Sequence, residues 1–346
     1  MSTRPPPESG ADDSRTASPR AQPAARAAAR NQRPIRIGPY RLPRMTTKPA
    51  VSLVAVAGRR RATLDLARTL EDEGFTGIYC PSPGDGMALC EALALATREI
   101  PLGTSIAHIY TRHVFEWAQT AAVIHELSGG RFRFGVGVSH APAHARLGLQ
   151  PGKPLADMRT FVTELKGYAP QVGALPPITL ATLRKKMVAL AGEIAEGAVW
   201  ANAARSHMAE SLRHLPADKR SDPAFFVGDM VPVAIDDDRA AAAAVMRRVL
   251  TSYVKLPNYQ NYWIEAGYEV EMKAVRAAVA RGDDDAVRAA MSDRWLSDVT
   301  LFGSAKDVRD GVEAWRAAGV KTVILVPSST RGGQMLAFEE LIAAFR

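Results

Sequence analysis

The sequence predicts an α/β fold, a single (β/α)8 (TIM) barrel, on three observations. From Val51 onward, short apolar runs alternate with amphipathic helical stretches. Eight such β runs occur, each followed by helix, and this order demands parallel crossover connections. The 346 residues are 47% hydrophobic, enough for one large core. Closing eight strands into a barrel removes the two edges that the competing arrangement, an open doubly wound sheet, would expose.

The elements follow in order. Residues 51–57 (VSLVAVA) are uniformly apolar, as expected of a parallel strand covered on both faces. Residues 60–74 carry Leu64, Ala67 and Leu70 at helical spacing, and Gly74 stands where a helix C-terminus favours glycine. Strand 78–81, helix 87–98, strand 102–106 and helix 114–127 come next, the last stopped by Ser128-Gly129-Gly130. Residues 132–138 (FRFGVGV) form the fourth strand, and 155–168 a helix after a loop. Strand 178–183, helix 186–196 and strand 198–202 precede the seventh strand, 225–235, where Gly228-Asp229 predicts a bulge or bend. Asp236-Asp237-Asp238 opens a helical region, placing carboxylates at the positive end of the helix dipole. It runs to about Thr300 with breaks near Pro257 and Gly282. Helix 305–318, strand 322–327 (TVILVP) and helix 334–345 close the chain.

Residues 1–45 differ. They are rich in Pro, Ala, Arg and Ser and have no apolar periodicity, so a disordered tail is expected ahead of a barrel domain at 46–346. Met45 is followed by Thr46-Thr47-Lys48-Pro49-Ala50 and then by the first strand run, and is read as the true start. Residues 1–44 hold nine Arg and three acidic residues; the remaining 302 hold 35 basic and 33 acidic. The barrel is therefore nearly neutral, and no specific nucleic-acid partner is expected. No apolar run approaches the ~18 residues of a membrane span. Cys80 and Cys90 read as reduced, buried thiols, which fits the cytoplasm.

In a barrel of this kind the chemistry sits at strand C-termini. Three places stand out. Thr104, Ser105 and Ile106 end the third strand with small residues that allow a flat ring to approach, and His108 and Tyr110 follow. Gly135, Val136 and Gly137 end the fourth strand, before His140. The Gly-x-Gly lacks the third glycine of a dinucleotide fingerprint. Thr182, Arg184, Lys185, Lys186 and Met187 lie where the fifth strand turns into a helix, whose free N–H groups and positive end suit a phosphate. His108 and His140 could each act as general acid or base. His140 and His144 are spaced i, i+4, but Pro142 argues against a regular helix there, and no metal site is expected.

Taken together, these places resemble the luciferase-like family of flavin- and deazaflavin-dependent oxidoreductases, over residues 50–345. The strongest stretch is 103–137, GTSIAHIYTRHVFEWAQTAAVIHELSGGRFRFGVG. The others are PPITLATLRKKMVALAGEIAEG and residues 303–327, with GS–DV at a helix start. The resemblance implies a ring cofactor over the barrel mouth, backed by a non-prolyl cis peptide that by position would be Ser105–Ile106. The YTRH turn at 110–113 looks most like the coenzyme F420 branch, with FMN the alternative cofactor. Hydride transfer to or from a small-molecule substrate would follow, with His108, Tyr110 or His140 handling a proton. The alternatives are an FMN-dependent monooxygenase and a non-catalytic flavin-binding barrel. Such proteins are often homodimers.

The chain also departs from the family. The Asp-His pair usual after the second strand is replaced by residues 80–85 (CPSPGD), without a His. The phosphate turn has side-chain charge in place of Gly and Pro, and the segment 167–176 is short, which implies a wider or differently lidded site. Tyr253, Tyr259, Tyr262, Trp263 and Tyr268 form an aromatic-rich stretch that reads as core, a lid or an interface.

Overall fold

Among the described residues ten strands occur: β1 (Ala50–Ser52), β2 (Ile78–Cys80), β3 (Leu102–Thr104), β4 (Ala107–His108), β5 (Phe132–Gly137), β6 (Ile178–Ala181), β7 (Gly197–Ala201), β8 (Phe226–Ile235), β9 (Leu301–Gly303) and β10 (Thr322–Ser328). The computed structural model describes residues 48–82 and 84–346. The expected tail and the start at Met45 lie outside them. Every strand pairing is parallel, in the order β10-β1-β2-β3-β5-β6-β7-β8. The circle closes between β8 and β10, in register from Thr322↔Gly228 to Ser328↔Ala234. This is the predicted eight-stranded barrel. The two short strands are additions: β4 resumes the third strand beside β5, and β9 lies along the end of β8.

Two strand expectations need correction. The first apolar run pairs only as far as Ser52, and by Val56 the chain is exposed, because it has left both neighbours to join the mouth loops. Gly228-Asp229 makes no bulge. The ladder passes through it unbroken, with Val199↔Gly228 and Trp200↔Asp229 on one side and Thr322↔Gly228 on the other. The glycine serves packing, since a Cβ there would come within 2.6 Å of the Phe226 ring.

Side chains alternate across the barrel wall. Ala50, Tyr79, Val199, Phe226 and Ile324 form the inner cluster, joined by Ile106 and Met230. The outer face meets the helices in a larger core that includes the fully buried Trp200, Trp263, Trp295 and Trp315.

The helices follow the sequence signals. Gly74 takes φ 79° just past helix Arg60–Asp72. Asp238 caps helix Arg239–Val254 by accepting from the Ala240 and Ala241 amides. Pro257 opens helix Pro257–Glu265, and Gly282 (φ 68°) separates helices Glu269–Ala280 and Asp284–Ala289. Ser304 and Asp307 form a reciprocal capping box at the predicted GS–DV helix start. One expectation fails: Ala141–Leu147 is helical despite Pro142. The proline lies in the first turn, where its missing N–H costs no hydrogen bond.

Candidate active site at the barrel mouth

The third-strand end is the most tightly built part of the mouth. The Ser105–Ile106 peptide is cis, where the resemblance implies it. The Ser105 amide donates to the Cys80 carbonyl at 2.8 Å, and the buried Thr104 hydroxyl donates to the Gly135 carbonyl at 2.6 Å. Gly135 is glycine because a Cβ would lie 1.9 Å from the Thr104 carbonyl oxygen. A Cβ on Gly137 would lie 2.8 Å from both Ala181 and Ile106. These glycines, expected to admit a ligand, instead let β5 press against the bulge. The Val136 side chain points away from the mouth, into the core under the helices. Ile106 is half-buried over the inner cluster, and the Ser105 hydroxyl is buried with no protein hydrogen-bond partner.

Beside the bulge lies a group of rings. His108 and His144 stack at 5.3 Å with planes 12° apart, and Tyr110 meets each edge-on at 5.6 Å. Both histidines direct Nε2 at the Val138 carbonyl, at 3.2 Å and 2.6 Å. A carbonyl only accepts, so each Nε2 carries a proton towards Val138. Burial, and then the neighbouring His144, lower the pKa of His108; burial, followed by His144 and His108, does the same for His140. Both imidazoles are thus biased towards the neutral form.

The three proton-handling candidates differ in their freedom. The Tyr110 hydroxyl donates to Asp157 Oδ2 at 2.5 Å, and burial followed by that carboxylate pushes its pKa up. Tyr110 therefore holds its proton. His108 is fixed by Val138. His140 caps helix Ala141–Leu147 through its backbone, while its ring lies 5.5 Å from Tyr259. Of the three, only its side chain is free of a hydrogen bond to protein.

Sequence reasoning missed Asp157 and the placement of His144. Asp157 accepts from Tyr110, 47 residues away, and from the Gly152 amide at 2.9 Å, which ties the loop before helix Pro154–Gly167 to the site. No local pattern encodes that meeting. The i, i+4 spacing did signal His144, though as a metal question. Among the described residues no group of His, Cys, Asp or Glu is placed to hold a metal ion.

The basic turn follows β6, the strand beside β5. Thr182 is buried with its hydroxyl against the Val199 carbonyl, and Met187 packs on the core. Arg184 is bound by Glu265 through both Nε, at 3.0 Å, and Nη2, and that hydrogen bond raises its pKa. Lys185 and Lys186 begin helix Lys185–Ile194, whose N-terminus has no side-chain cap, and both are exposed. Uncapped amides with two exposed ammonium groups suit a phosphate. In place of the Asp-His pair, Asp85 caps helix Gly86–Ala96 and binds Arg112 at 2.7 Å, so its carboxylate is already used.

A closed parallel barrel with a bulged third strand and imidazoles at its C-terminal mouth defines an oxidoreductase of the ring-cofactor barrel class. The chain belongs to the luciferase-like monooxygenase family, whose model matches residues 37–322. It is 26% identical over 285 residues to 5,10-methylenetetrahydromethanopterin reductase from Archaeoglobus fulgidus, covering 73% of this chain and 86% of that one. Among solved structures it is similar to coenzyme F420-dependent tetrahydromethanopterin reductase from Methanopyrus kandleri, with TM-score 0.68, 18% identity and coverage of 86% and 100%. It is also similar to the FMN-bound oxygenating constituent of 3,6-diketocamphane monooxygenase from Pseudomonas putida, with TM-score 0.53, 16% identity and coverage of 86% and 96%. No helix among the described residues is long and apolar enough to cross a membrane.

Proposed function

We propose that this protein is a coenzyme F420-dependent oxidoreductase, moving a hydride between the deazaflavin and a small organic substrate at the barrel mouth. The observation that carries this reading is the buried, unpartnered Ser105 hydroxyl beside three imidazoles biased to the neutral form or held by hydrogen bonds. It is a polar contact awaiting a ligand, next to groups that can take up a proton. The F420 dependence of the similar reductase supports the choice of deazaflavin, and FMN, held by the similar monooxygenase, is the alternative. Ile106 and Ser105 would hold the cofactor's ring, and Lys185, Lys186 and the uncapped amides of their helix would hold its phosphate. When bound, the cofactor supplies two-electron hydride chemistry.

The residues of this chain hold and move the proton. His140, free of hydrogen bonds to protein, accepts it or returns it. His108 keeps Nδ1 as a second acceptor behind the bulge, and Tyr110 with Asp157 fixes the covering loop. The same reading places the protein in the cytoplasm, with the two free thiols reduced. It also includes a homodimer formed through the exposed apolar Leu95, Val123 and Leu127 on helices Gly86–Ala96 and Val114–Leu127.

Fluorescence titration of the purified protein with coenzyme F420 and with FMN tests the assignment. Retention of the deazaflavin with weak FMN binding is expected. FMN binding alone would move the protein to the monooxygenase reading, and binding of neither would make it a non-catalytic barrel.

A further inference from the structure

Asp229 lies in the middle of β8, opposite Trp200 on β7, with its side chain on the helix side of the wall. It is fully buried, no side chain among the described residues bonds either carboxylate oxygen, and the only donors facing it are the Ala203 and Met230 backbone amides, whose effect burial outweighs. Among the described residues no Lys, Arg or His pairs with it. Its titratable neighbours on the covering helices are phenols: Tyr259 and Tyr262 feel its charge directly, and Tyr253 stands against Tyr259 at 5.3 Å. The neighbour facing it from β10 is Val323. Nothing about the barrel itself requires a carboxyl here, where an apolar residue would pack without cost.

The layer above Asp229 leads to the mouth. Asn202, at φ 56°, follows β7 and is held through its backbone from two directions. Its amide donates to the Met230 carbonyl at 3.1 Å, beside Asp229. Its carbonyl accepts from Trp263 Nε1 at 3.2 Å, and its side-chain amide faces the Tyr253 and Tyr259 hydroxyls. Tyr262 completes the layer by accepting from the Ala204 amide at 3.1 Å. The Tyr259 ring then packs on Trp263 on one side and on His140, at 5.5 Å, on the other.

We propose that Asp229 is a positioning residue for His140, acting through Asn202 and Tyr259 and touching neither substrate nor cofactor. The catalytic part of this inference rests on the proton-handling role given to His140 above. A neutral Asp229 lets the phenols and Asn202 pack as one layer and holds the His140 ring in place. An ionised Asp229 puts a charge with no cationic partner beside two phenols, Tyr259 and Tyr262, in a low-dielectric layer, offset only by two backbone amides. The layer then loosens, and His140 loses its support. Desolvation raises the pKa of this carboxyl to about 7, so the change falls in the working range.

The test follows the His140 imidazole by NMR across pH in the cofactor-free protein. In the wild type its titration curve should show a second inflection at about pH 7. Asp229→Asn keeps shape and neutrality and should erase that inflection. Tyr259→Phe keeps the ring on His140 but removes the hydroxyl, and should shrink it. Superimposable curves for the wild type and Asp229→Asn would overturn the proposal, and so would an unchanged inflection in Tyr259→Phe. With substrate and cofactor, Asp229→Asn should also remove the alkaline limb of the kcat/KM profile. Full turnover by His140→Ala would instead remove the proton-handling reading, while leaving the NMR coupling between Asp229 and His140 standing.

Discussion

The two walls of the barrel mouth are built on different principles. Between β3 and β5, backbone packs on backbone: Gly135 lies under the Thr104 carbonyl, and Thr104 donates to the Gly135 carbonyl. Between β6 and the next helix, long charged side chains stand in solvent, and one of them, Arg184, is held by Glu265 across 81 residues. The first wall tolerates no added atom, because its neighbours are main chain and cannot move aside. The second tolerates many changes, because exposed charges adjust and are screened. Position on the bulge wall is thus set by packing, and affinity at the basic turn by electrostatics.

The contrast can be broken most severely at Gly135. Gly135→Ala places a methyl 1.9 Å from a backbone oxygen. The loss should reach or exceed the roughly 1–3 kcal/mol usual for overpacking, and cofactor binding should go with it. Chemical denaturation and a cofactor titration measure the two effects, and wild-type behaviour would mean that the bulge is soft.

The next effect is at Asp229, on the barrel wall behind the mouth. Its folded pKa of about 7 lies above the ordinary 3.8. The stabilising preference for the neutral form is fully present below about pH 4 and is lost as pH rises through about 7. Asp229→Asn should therefore raise stability by a few kcal/mol at about pH 9 and by little at about pH 4. Thermal melts at the two pH values would show it, and an equal shift at both would contradict the burial argument.

A smaller change should follow Asp157→Asn, which weakens the bond that holds Tyr110. We expect about 1–2 kcal/mol of stability lost and faster proteolysis in the loop around Gly152. Equal cleavage rates would show that Asp157 does not hold that loop.

The basic turn should respond least in stability and more in affinity. Replacing Lys185 and Lys186 together by Glu should weaken cofactor binding by about tenfold at low salt, with little change in melting temperature. Arg184→Ala should weaken it less, because Glu265 already occupies that guanidinium. A larger loss from Arg184→Ala than from the double change would reverse the assignment of the phosphate side.

Much of this could be read along the chain. All eight barrel strands were visible as apolar runs bounded by Gly or Pro, and Val114–Leu127 was placed to the residue. β4, at two residues, is too short for any periodicity to show. The aromatic stretch read as core, lid or interface is largely core: Tyr259, Tyr262, Trp263 and Tyr268 are buried, and Trp263 meets Trp295 edge-on at 4.9 Å. At the site, the order of residues named His108, Tyr110 and His140 but not their partners. Pro142 reads as a helix breaker because composition does not show which turn a proline will occupy.

From the sequence alone came the barrel, the family resemblance and the position of the third-strand bulge, because these depend on spacing within a few tens of residues. The tertiary structure decided which charges remain available and which rings meet. Arg184 is engaged, Tyr110 is held by Asp157, and Asp229 is sealed under an aromatic layer that ends on His140. Those outcomes depend on desolvation and on contacts between residues far apart in the chain, and neither is written in local pattern.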